Sequence, residues 1–191
     1  MSLKDKQVIL ASGSPRRINI LKEDGVDFQV IKPACEENIH LDLAPHQYCM
    51  ALALRKALDI GPQTGLIIAC DTIVVDGEKV IGKPVDEEDA FNILKELSGK
   101  KHQVVSGVCL MQYAPKYTEL FYAKTDVYFK KISDAQIREY IITGEPMDKA
   151  GAYAIQGAFS KYIDHIDGSY NNVVGFPYEI IKEKINAAGL T

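Results

Sequence analysis

Several stretches of the 191-residue chain carry side chains suited to gripping and hydrolysing an anionic ligand. Ser12-Gly13-Ser14-Pro15-Arg16-Arg17 sets a glycine, two hydroxyls and two arginines at the start of a helical pattern. Glycine lets the backbone approach a ligand, a helix start presents unpaired N–H groups, and arginines add forked donors, a combination that suits phosphate. A capped helix start with two solvated arginines fits the same residue types. Asp71-Thr72 interrupts the apolar run Gly65–Asp76. A carboxylate there costs several kcal/mol to bury unless it is paired, hydrogen-bonded or bound to a cation. The alternative is a strand that ends at Cys70 and leaves Asp71 at the rim, where α/β proteins also place ligands.

Weaker signals lie around these two. Lys83, in Gly82-Lys83-Pro84, is a point charge suited to phosphate, although a lysine after a hairpin is commonplace. Glu36-Glu37 are adjacent acids that either form a solvated face or hold a hard divalent cation. Lys56, within a helical pattern, has the same ambiguity. Asp148–Gly157 and Gly168–Pro177 mix small, polar and aromatic residues without helical or strand period, as in a loop built around a ligand. In the first of them Gln156 offers a donor and an acceptor and so is suited to the edge of a base. A purely structural loop has the same composition.

The elements that must position these residues are legible in outline. Gln7–Ala11 reads as a buried strand, followed by a helix that Gly25 ends and by a strand beginning at Phe28. Pro45 opens a helix with Tyr48, Leu52 and Ala53 at helical spacing, and Gly65–Asp76 is a central strand closed by the turn signal Asp76-Gly77. Asp86 caps a helix through Leu97; His102–Tyr113 and Thr118–Lys131 form a hairpin around Ala114-Pro115. Ser133–Gln136 is a capping box opening a helix that stops at Gly144, and a last helix runs from about Tyr178 to Ala188. The fold class is α/β, in one domain with no internal boundary.

Composition narrows the function. With 22 basic and 26 acidic residues the net charge is −4, so nucleic acid and anionic membranes have no general attraction to this chain. The four cysteines and four histidines form no CxxC, HxxxH or HxH pair. No run approaches the roughly 20 apolar residues of a membrane span, and Val8–Ala11 is too short for a signal-peptide core, so a cytoplasmic setting is expected. There is no Walker loop, GxGxxG, GxSxG or HExxH, which argues against dinucleotide oxidoreductases, serine hydrolases and zinc proteases.

In order along residues 8–177, Leu10–Arg17, Asp71-Thr72, Gly82-Lys83-Pro84, Leu97-Ser98-Gly99 with His102-Gln103-Val104, Asp148–Tyr153 with Ile155-Gln156-Gly157, and Gly168-Ser169-Tyr170 with Asn172–Gly175 resemble the Maf family, also called septum formation inhibitor proteins. The resemblance implies a nucleoside triphosphate pyrophosphatase that releases monophosphate and pyrophosphate with a divalent cation, magnesium or manganese. It also implies a mixed, elongated, twisted sheet with flanking helices and two lobes around a central cleft, as in inosine triphosphatases, and a homodimer. Arg16, Thr72 and Gln156 resemble the subgroup acting on dTTP and UTP; the 7-methyl-GTP subgroup carries an aromatic, Gln and Glu at these positions. Departures from the family pattern are Cys70 for Ala, Ala154 for Gly and Phe176 for Leu.

Under that resemblance Ser12, Arg17, Lys56, Lys83 and Lys149 clamp the triphosphate; Glu36, Glu37 and Asp71 hold the cation; Asp71 is the proton acceptor; Lys83 and Glu37 complete the catalytic set; and Arg16, Thr72 and Gln156 select the base. Two other readings use the same clamp: a nucleotide-sensing regulator of septum formation that does not turn its ligand over, and a phosphohydrolase removing the terminal phosphate alone.

Overall fold

The computed structural model describes residues 3, 7–36, 39 and 41–190. In chain order its elements are β1 (Val8–Ala11), α1 (Pro15–Glu23), β2 (Phe28–Val30), α2 (Pro45–Ile60), β3 (Leu66–Asp76), β4 (Lys79–Ile81), α3 (Glu87–Leu97), β5 (Lys101–Gln112), β6 (Tyr117–Phe129), α4 (Asp134–Ile141), β7 (Ile163–Asp167), α5 (Tyr170–Val174) and α6 (Tyr178–Ala187), with 3-10 turns at Glu145–Asp148, Ala150–Ala152 and Ala158–Tyr162. The strands form a mixed sheet in the order β2-β1-β3-β5-β6-β7, with β4 paired to β3. β1 runs parallel to β2 and β3, whereas β3–β4 and β6–β7 are antiparallel. The expected α/β class and mixed sheet with flanking helices are therefore present.

Residues cluster into two compact units. The first comprises 1–71, 106–123 and 175–191; the second comprises 72–105 and 124–174. In the first, α2 packs through Ala53 and Ala57 on Ile9, Ala11, Ile67, Ala69, Cys109 and Met111. Small residues let helix and sheet approach closely, as at Gly107, where a Cβ would overlap the backbone between Cys49 and Met50. In the second, α3 and α4 turn Phe91, Leu94, Leu97, Ile137 and Tyr140 onto a core that includes Phe129, Tyr153 and Phe159. α3 starts where Asp86 accepts from the Asp89 N–H (2.8 Å), and α4 where Gln136 accepts from the Ser133 N–H (2.9 Å), the caps expected from sequence.

The Gly65–Asp76 run is one strand through Asp76, so Asp71 lies within β3 and not beyond its end. The reading in which the strand stops at Cys70 is corrected. A carboxylate is tolerated within the strand because it is paired, as described below. β7 lies between the two aperiodic stretches Asp148–Gly157 and Gly168–Pro177, where no strand is expected; its residues, Ile-Asp-His-Ile-Asp, are charged and partly exposed, as suits an edge strand.

Candidate active site

The parallel register of β1 and β3 pairs Leu10 with Ile68 and Ala11 with Ala69. The chain leaving β1 therefore passes Ser12 alongside Cys70 and Asp71. α1 begins at Pro15, and its third residue, Arg17, turns back toward that junction. Arg17 donates from Nη1 to Ser12 Oγ (3.2 Å) and to the Cys70 carbonyl (2.5 Å), and from Nε to the Gly175 carbonyl (2.9 Å). Ser12 Oγ also accepts from the Ser14 N–H (3.2 Å). The planar guanidinium thus ties β1, β3 and the segment after α5 into one junction. Arg17 is buried, which overturns the solvated-arginine alternative for this residue; Arg16 beside it is half-buried.

Lys56 reaches the same junction from α2. Its Nζ lies 2.7 Å from Asp71 Oδ1, and the two residues retain only 7% and 8% of their exposure. The contact uses one carboxylate oxygen, Oδ1. A buried ion pair contributes little net stability, because desolvating both charges offsets their attraction, but leaving either partner alone is costly. Its consequence is placement: a carboxylate held at fixed orientation within an otherwise apolar strand. Asp71 is also felt by Cys49, whose thiol is pushed up to about 12 by burial first and by the Asp71 charge second. Burial likewise pushes the Cys109 thiol up to about 12. Neither thiol is a nucleophile at neutral pH.

The second unit carries the remaining expected residues. Thr72 follows Asp71 on β3 and is half-buried, and Lys83 is exposed after β4. The Gly82 carbonyl accepts from the Gly151 N–H (2.9 Å), which ties the Lys83 segment to the turn after Lys149. Lys149 Nζ donates to the Glu145 carbonyl (2.8 Å) and to Asp148 Oδ1 (2.5 Å). Gln156 is exposed on a turn between buried Tyr153 and Phe159. Asn172, in the second glycine-rich stretch, is fully buried and donates to the Val104 carbonyl and to Thr125 Oγ1, both at 3.0 Å. That stretch braces β5 and β6 through Asn172.

Among the described residues no group of three His, Cys, Asp or Glu side chains lies close enough to hold a metal ion. Glu36 is exposed, and its carbonyl accepts from Arg55 Nη1 (3.3 Å); Glu37 lies outside the described residues. Magnesium does not need a closed protein cage, since it is commonly bound by one or two carboxylates with substrate phosphates and water. Asp71, whose pairing with Lys56 is through Oδ1, fits that minimal donor set with its second oxygen.

A family model described as Maf-like protein matches residues 7–188. The chain belongs to the Maf family. Its relatives include the dTTP/UTP pyrophosphatase of Caldicellulosiruptor saccharolyticus, 44% identical over 178 residues, covering 90% of this chain and 89% of the relative. The dTTP/UTP pyrophosphatase of Thermosipho melanesiensis is 46% identical over 170 residues, covering 89% and 91% respectively. Among solved structures, the Ham1 protein of Staphylococcus aureus has a TM-score of 0.53 at 14% identity, covering 96% of this Maf chain and all (100%) of that one. A HAM1 protein from Coxiella burnetii gives 0.53 at 12% identity, covering 97% and 99%. The Maf fold is thus shared with Ham1 proteins. Among the described residues, no helix is long and apolar enough to cross a membrane.

Proposed function

We propose that this Maf protein is a nucleoside triphosphate pyrophosphatase that hydrolyses dTTP and UTP to the monophosphate and pyrophosphate. The observation that carries the reading is the buried Lys56–Asp71 pair at the junction with Ser12 and Arg17. A sensor needs cations for the phosphates but has no use for a carboxylate fixed in a strand at that point. The names of relatives matching about nine-tenths of the chain support the substrate class.

In this reading Asp71 accepts a proton from the water that attacks the α-phosphorus, and Lys56 fixes the orientation of its carboxylate. Ser12 and the start of α1 bind phosphate oxygens, with Arg17 shaping the junction and adding positive charge. Lys83 and Lys149 bind the departing pyrophosphate, and Arg16, Thr72 and Gln156 discriminate the base. A divalent cation, magnesium or manganese, held by Asp71 with Glu36, Glu37 and the substrate's own oxygens, supplies charge neutralisation when bound. The cytoplasmic setting and the homodimer belong to the same proposal.

The test is to incubate purified protein and magnesium with a panel of nucleotides and to separate the products by chromatography. Pyrophosphate with dTMP or UMP is the expected outcome. Release of inorganic phosphate alone, or binding without turnover, overturns the proposal.

A further inference from the structure

We propose that Glu145 is a positioning residue for base selection, holding the turn that presents Gln156; the inference rests on the reading of Gln156 as the residue that meets the base. Glu145 opens the 3-10 turn after α4. Its Oε1 accepts from the Tyr140 hydroxyl (2.9 Å) and its Oε2 from the Ala158 N–H (3.1 Å). The carboxylate is therefore fastened to α4 at one oxygen and to the turn at the other. Its main-chain carbonyl receives the Lys149 ammonium (2.8 Å), so one residue locates two of the expected substrate-binding side chains.

The neighbouring glycine carries an independent mark of this arrangement. Gly157 has φ −104°, which any residue adopts, so its backbone does not require glycine. A Cβ at this position would instead overlap the Glu145 carboxylate. A larger residue in place of Gly157 fits only if the carboxylate is expelled, and expulsion breaks both of its hydrogen bonds. The turn is short: Gly157 N–H donates to the Ala154 carbonyl (3.3 Å) and Ser160 N–H to the Gly157 carbonyl (3.1 Å). Buried Tyr153 and Phe159 anchor its two ends. Between those anchors, the bond from Ala158 N–H to Glu145 fixes the turn two residues after Gln156.

The experiment compares kcat/KM for dTTP and for GTP in wild type, Glu145→Ala, Glu145→Gln, Gly157→Ala, the Glu145→Ala/Gly157→Ala double variant and Gln156→Ala. Loss of the tie is expected to lower the dTTP-to-GTP ratio about tenfold in Glu145→Ala, mostly through a raised KM for dTTP. Glu145→Gln should stay within about twofold of wild type, because an amide accepts from Ala158 N–H through its oxygen and donates to Tyr140 through its nitrogen. Gly157→Ala should match Glu145→Ala, and adding it to Glu145→Ala should cost almost nothing more, since the group it collides with is gone. If Gln156→Ala lowers the ratio while Glu145→Ala and Gly157→Ala do not, the inference is wrong and the base-reading role of Gln156 stands. If Gln156→Ala leaves the ratio unchanged, that role falls and the inference falls with it. Equal losses on dTTP and GTP in Glu145→Ala reduce Glu145 to a structural residue and overturn the inference. Should Glu145→Ala fail to fold, the contrast between Gly157→Ala and Glu145→Gln decides by the same criterion.

Discussion

Removing Lys56 isolates the energetic role of the buried pair. In Lys56→Met the apolar stem is retained and the ammonium is lost, so the Asp71 carboxylate stays in a site with 8% exposure and no counter-charge from α2. At the observed 2.7 Å the gross attraction is about 6 kcal/mol at an effective dielectric of about 20. Relaxation and water entry recover part of that, and a net loss of about 3–5 kcal/mol is expected. For a chain of this size about 2–4 °C of melting temperature goes with each kcal/mol, so Tm should fall by roughly 6–20 °C. Urea denaturation followed by far-UV circular dichroism gives the free energy, with the slope compared between variants to confirm that like states are compared. The double variant Lys56→Met/Asp71→Leu removes both charges and should lie within about 1 kcal/mol of wild type, because well-packed apolar replacements of a buried pair are commonly neutral. A loss under about 1 kcal/mol in Lys56→Met, or two single losses that simply add in the double variant, would refute the reasoning.

Two further perturbations test the surroundings of the site. Burial pushes His102 down to about 4 from an ordinary 6.5, with the Asp126 charge opposing, and Nε2 lies 2.8 Å from the Tyr153 hydroxyl. The folded state therefore disfavours the proton that the unfolded chain accepts below about 6.5, so stability is full above that pH and falls as the pH drops toward 4, by about 3 kcal/mol in all. Denaturation midpoints at several pH values should show this loss, and His102→Gln, which keeps a partner for Tyr153 without titrating, should flatten it. Gly107→Ala drives a Cβ into the backbone of α2 and should cost about 3 kcal/mol, the upper end of the usual range for overpacking, because the obstacle is backbone; a melting curve like that of wild type would mean that β5 and α2 separate freely.

The sequence makes the alternation of helices and strands legible because apolar spacing agrees with a start signal at each of α2, α3 and α4: Pro45, the Asp86 cap and the Ser133–Gln136 box. Lys56 is legible too, in retrospect: it follows Cys49, Leu52 and Ala53 on the buried stripe of α2, where a lysine demands an anionic partner. Its partner is not legible, since 15 residues and a change of element separate it from Asp71. Arg17 shows the converse. Its residue type suits phosphate, yet its Nε and Nη1 are committed to protein oxygens that only the β1–β3 register brings near. β7 and α5 escape notice because a short charged edge strand and a five-residue helix have no period to detect. Glu145 lies just outside the motif around Lys149 and resembles any surface acid until its two hydrogen bonds are seen.

The most direct measurement is single-turnover hydrolysis of dTTP by Asp71→Asn, with magnesium present and folding checked by circular dichroism. Asparagine keeps an oxygen for Lys56 but cannot take the proton from water. The rate should drop about 10²–10⁴-fold while pyrophosphate remains the product. An undiminished rate would contradict the assignment of Asp71 as the group that activates water.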